Sequence, residues 1–183
     1  MTDAVIDRVR DVLLQRKPWN ELSRVATWLL TAASAWLRKD PRPVLTGLTI
    51  VADEADTPGT ASYDAATHTI TIHNPILLSR SLGLEGLARF LLPDFDRVAA
   101  GMFLIVLLHE LVHAYQARHG CRGDRCDLET HANHVAYRFA KEHGLEYEFS
   151  FGQSVLARFH DDFPAFYRCA LERKDDHGFD CWC

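Results

Sequence analysis

Residues 103–120 read FLIVLLHELVHAYQARHG. A helix through the first half of this stretch is apolar on every side, a pattern that suits the interior of a protein. Its centre nevertheless carries His109, Glu110 and His113, and burying such groups without partners is costly. Any fold for this chain must therefore bring partners to those three side chains. His109 and His113 are four residues apart, so on a helix they lie one turn apart on one face. Two imidazoles so placed can reach one metal ion, and neutral imidazole suits Zn²⁺. Glu110 then sits beside the metal's water, in position to act as catalytic general base. The plainer reading is a pair of ordinary helix histidines, but a metal would satisfy all three polar groups at once.

Two histidines need a third ligand from a neighbouring element. The next helical stretch, DLETHANHVAYRFAKEHG, places Glu129, Ala132, Asn133, Ala136 and Ala140 on one face. Small alanines allow close approach of another helix, and Glu129 is assigned as the third ligand. Asn133, one turn on, is then placed to accept a hydrogen bond from the far nitrogen of His109. The competing account of Glu129 is a first-turn acid favoured by the helix dipole. His119, His131 and His134 are rivals as ligands. His119 has the spacing of HExxHxxGxxH, but Gln116 stands where that pattern has a chain-turning glycine. His131 and His134 fall on the opposite side of their helix from Glu129 and read as solvated.

The rest of the chain reads as a single α+β domain over 1–183. Residues 1–40 form a helical extension. Val5, Ile6, Val9, Val12 and Leu13 make its first apolar face, and Asn20 caps a second helix that runs to about Leu37. Residues 44–73 form a small, mainly antiparallel sheet: a strand over 44–53, a short one near Tyr63, and one over 67–73 with Ile70 and Ile72 on its buried face. Short helices over 75–92 lead to the metal-site helices at 96–143, the first ending at His119-Gly120 and the second spanning about 128–143. Helices over 152–161 and 164–174 follow.

Composition narrows the function. The 183 residues carry a net charge of −5, with no basic patch for nucleic acid. The run Met102–Leu108 is far short of the ~20 residues a membrane span needs, and the N-terminus does not resemble a secretory signal. The expectation is a soluble, cytoplasmic chain with no membrane partner; no feature sets an oligomeric state. Five cysteines are an odd, low number for a disulfide scaffold. Free thiols are the expectation for Cys121, Cys126, Cys181 and Cys183, with a disulfide across the 121–126 loop or a second zinc site as alternatives. Cys169 reads as a core residue.

HELVH followed by ETHAN resembles the gluzincin zinc metallopeptidases, in the short ExxAN form of minigluzincins and ImmA-like peptidases; HELVHAYQ is similar to SprT-like proteins, which use a third histidine. The resemblance covers about residues 98–143. It implies a zincin-like fold, with the sheet packed on the HExxH helix, and hydrolysis of a protein or peptide substrate, an endopeptidase rather than an exopeptidase. A catalytically silent binding or regulatory module on the same fold is the alternative. It implies an oxyanion donor, for which His160, Tyr167, His177 and Tyr147 are candidates, and an edge strand, taken as 68–73, that pairs with substrate.

Overall fold

The computed structural model describes residues 2–13, 21–53, 61–73, 95–157 and 168. Within them the chain is α+β, with five α-helices and one three-stranded mixed sheet. Helix α1 spans Thr2–Leu13 and α2 spans Leu22–Ala33, followed by 3₁₀ turns at Ser34–Trp36 and Arg42–Leu45. Strands β1 (Thr49–Asp53), β2 (Ala61–Asp64) and β3 (Thr69–His73) precede α3 (Phe95–His119), α4 (Arg125–His143) and α5 (Glu146–Ala157).

Helix α3 is the axis of the fold. It packs against α1, α2, α4, α5, β2 and β3. Phe103, Leu104, Leu107, Leu108, Leu111 and Val112 are at most 1% exposed, as an all-round apolar helix requires. By length and composition Arg97–His119 matches a membrane span, but its most apolar window is 72% buried inside the protein itself. Helix α4 lies along α3 through Ala132, Ala136 and Ala140, all buried. These small side chains let the two backbones approach closely, which brings Glu129 within reach of the α3 histidines.

Several expectations are corrected. The sheet is not mainly antiparallel: its order is β1-β3-β2, with β1 parallel to β3 and β2 antiparallel to it. Strand β3 is therefore central, and β2, not residues 68–73, is the outer strand toward the helices. Residues 42–45 are 3₁₀, so the first strand starts only at Thr49. Helix α4 begins at Arg125 rather than 128, because Asp124 and Asp127 form a capping box. Helix α5 starts at Glu146, well before the expected 152. The second helix gives way to 3₁₀ geometry at Ser34 instead of continuing to Leu37. Ile70 and Ile72 are fully buried, as the alternation predicts. Asn20, the helices expected over 75–92 and 164–174, and Cys169, Cys181 and Cys183 lie outside the described residues.

The β2–β3 hairpin is pinned at its turn. His68 holds φ +51°, uncommon for a residue with a side chain. Its Nε2–H donates to the Val44 carbonyl at 2.9 Å while Nδ1 accepts from the Tyr63 hydroxyl at 2.8 Å. These two bonds fix Tyr63 where β2 crosses α3.

Truncating the α3 core should be costly. Leu104→Ala is expected to destabilise the protein by about 3 kcal/mol in urea unfolding; a loss under about 1 kcal/mol would contradict the central, close-packed position of this helix.

Candidate metal centre

The three donors converge. Nε2 of His109 is 3.1 Å from Oε2 of Glu129, Nε2 of His113 is 3.4 Å from the same oxygen, and the two nitrogens are 3.0 Å apart. A tetrahedral ion with ligands at about 2.0–2.1 Å would set its donors about 3.3 Å apart, so the triangle fits one ion above its plane. Among the described residues this is the group of His, Cys, Asp and Glu side chains able to hold a metal ion.

His113 is held by a residue that spacing alone gave no constructive part. Its Nδ1–H donates to Oε1 of Gln116 at 2.8 Å, which turns Nε2 toward Glu129 and His109. Gln116, 4% exposed, is fully engaged: its Nε2 donates to the Leu128 carbonyl at 2.8 Å and to Nδ1 of His131 at 3.0 Å. His131 is therefore not solvated but 8% exposed; it reaches over the flank of α4 into the α3–α4 seam. The glutamine three residues after His113 lies on the same helical face, and that i,i+3 relation is the signal that could have revealed it. Asn133 lines the cleft beside Glu129 but makes no hydrogen bond among the described residues, with His109 or otherwise. His119 points away, packing on Tyr115 and meeting the Asp40 carbonyl at 3.1 Å.

Electrostatics follow from this packing. Burial alone would raise the Glu129 carboxyl, but hydrogen bonds from His109 and His113, and their charge, outweigh it and hold the group at about 2. Burial opposes charging of His113, yet Glu129, Glu110 and Gln116 together raise it above the usual histidine range. Burial raises Glu110; the two histidines and a hydrogen bond from the Tyr63 backbone offset part of that rise. Any proton shared between the donors is displaced when a cation binds there.

A cleft of about 790 Å³ opens over the donors. Ala61, Ser62 and Tyr63 of β2 form one wall, Glu110 and His113 the floor, and Glu148 and Phe149 one end. Tyr147, a candidate oxyanion donor, is 53% exposed and stacks on Phe151 away from this lining; His160, Tyr167 and His177 lie outside the described residues. Cys121 and Cys126 are both disulfide-bonded, correcting the free-thiol expectation. Sequence spacing does not set the short approach between α-carbons that such a bond needs; the fold does.

Two outcomes follow. Gln116→Leu should weaken Zn²⁺ binding 10–100-fold in chelator competition; unchanged affinity would mean that the hydrogen bond does not orient His113. Burial, with the charges of His134, His113 and Arg38, holds His131 down at about 4, whereas an unfolded histidine titrates near about 6.5. The unfolded chain therefore binds the proton first, and stability falls as pH drops through this window, by about 2 kcal/mol at pH ~5 from this group. Urea unfolding of the metal-free protein at the two ends of that window should show His131→Asn to be less acid-sensitive than wild type. Equal sensitivity would contradict a neutral, buried His131.

Comparison of the chain with protein families, curated proteins and solved structures finds no match. What the site can do is accordingly argued from its own donors: two imidazoles and a carboxylate able to hold a metal ion, in a cleft with a second buried acid.

Proposed function

We propose that this protein is a zinc-dependent peptidase of the gluzincin kind, acting on internal bonds of a protein or peptide chain. The observation that carries this reading is the meeting of His109, His113 and Glu129 within 3.4 Å of one another, with Glu110 on the floor of the same cleft. Two imidazoles and one carboxylate form a donor set suited to zinc, with one position left for water or substrate. Zinc held by these residues would supply Lewis acidity, acidifying a water and polarising a carbonyl oxygen.

The chain's own groups account for the remaining chemistry. Glu110 is the base that takes a proton from the attacking water and returns it to the departing amine. Burial raises this carboxyl above the usual carboxylate range, which makes it a stronger base toward the water's proton. The Tyr63 backbone bonds to this carboxyl and fixes where it points. Strand β2 is one of the two outer strands of the sheet among the described residues, and its residues wall the cleft. An extended peptide added to that edge would run over the donors with its backbone hydrogen-bonded and its scissile carbonyl within reach. Gln116 acts through His113, orienting the ring so that Nε2 faces the other two donors.

The test is cleavage of a broad peptide library, read by mass spectrometry, by the zinc-loaded protein and by Glu110→Gln. Wild type should cut internal bonds, and the variant should lose at least about 10³-fold in rate while retaining its zinc. Undiminished cleavage by Glu110→Gln would remove Glu110 as the base. A zinc-loaded wild type that cuts nothing would favour the silent module.

A further inference from the structure

Glu148 takes no part in the reaction proposed above, yet it stands in the same cleft. It is 9% exposed and has neither hydrogen bond nor ion pair among the described residues. A buried carboxylate without a partner is costly and rare. The backbone of α3 makes room for it: a Cβ at Gly101 would stand 2.8 Å from Glu148 Cγ and 3.4 Å from its Cδ. The cleft lining on this part of α3 and α5 is mostly apolar, from Met102, Ile105, Phe149 and Gly152, with Gln153 beside them. A mostly apolar cleft wall carrying one buried acid matches a long aliphatic stem with a cationic head.

We propose that Glu148 forms a specificity subsite for an arginine or lysine side chain of the substrate, a reading that rests on the peptidase assignment. Position separates a side chain from a chain terminus. Gly101 and His109 are eight residues apart on α3, about 12 Å along its axis. An α-amine on the residue beside the scissile bond lies only about 2.5 Å from the reacting carbonyl carbon, too near to meet Glu148. A basic side chain one or two residues along the substrate spans the gap, and its guanidinium or ammonium supplies the donors that the carboxylate lacks.

The experiment separates this inference from the peptidase reading. Fluorescent octapeptides, carrying a single arginine or its neutral isostere citrulline at each position in turn, are bound to zinc-loaded Glu110→Gln protein and followed by anisotropy. At one position the arginine peptide should bind about tenfold tighter. The preference should vanish when Glu148→Gln is added, and also with Gly101→Ala, whose methyl displaces the carboxylate. Equal binding of arginine and citrulline peptides at every position overturns the subsite, as does a preference that survives Glu148→Gln. A preference for a free over an acetylated N-terminus that is lost in Glu148→Gln would also overturn it, in favour of a terminus site. Wild-type turnover of the same peptides is a separate readout. Arginine-selective binding without cleavage removes the peptidase reading and leaves the cationic subsite standing; cleavage without arginine preference does the reverse.

Discussion

Helix α3 is a core helix with ionisable groups buried in its middle, and the cost of burying them organises what surrounds it. Glu110 is 7% exposed and Gln116 4%, so neither can rely on water. Glu110 is met by the backbone of Tyr63 on β2, Gln116 by α4 and both histidines by Glu129, while Gln116 on α3 itself holds His113. The alanine face of α4 allows that approach, and the hairpin pinned by His68 delivers β2 to the other side. Removing any one of these partners would strand a buried polar group, which costs more than the bond is worth when made.

The donors were legible in the sequence because both relations are short-range or periodic. His109 and His113 follow from a four-residue spacing on one helix, and Glu129 from the small-residue face of the next. The structure brings all three to one point. The sheet was less legible, because period-two alternation reports which side of a strand is buried and says nothing of which strand lies beside which. Hence β3, whose pattern was clear, turned out central, and β2, with four residues, became the outer strand beside α3. Helix starts were misplaced where the cap was an acid pair, Asp124 with Asp127, in a stretch that reads as polar loop.

The polar network around the donors was the least legible part. Gln116 was weighed only as the absence of a glycine, and His131 only as a residue on the wrong side of its helix. Both errors came from treating a helical face as a narrow line; a long side chain reaches the seam from the flank. Glu148 was hidden for a different reason: helix α5 begins six residues earlier than the first periodic apolar residues suggest, and the glycine that accommodates it lies far away in sequence, at position 101. Such long-range fits have no signature in a single sequence.

The cleft thus gathers a donor triangle, the buried Glu110 and the buried Glu148 from three helices. Everything proposed for it depends on a metal ion being held by His109, His113 and Glu129. X-ray absorption at the zinc edge of the loaded protein tests that directly. The account predicts a shell of nitrogen and oxygen at about 2.0–2.1 Å with the outer scattering of two imidazoles and no sulfur. Sulfur at about 2.3 Å, or scattering without imidazole, would place the metal elsewhere and contradict it.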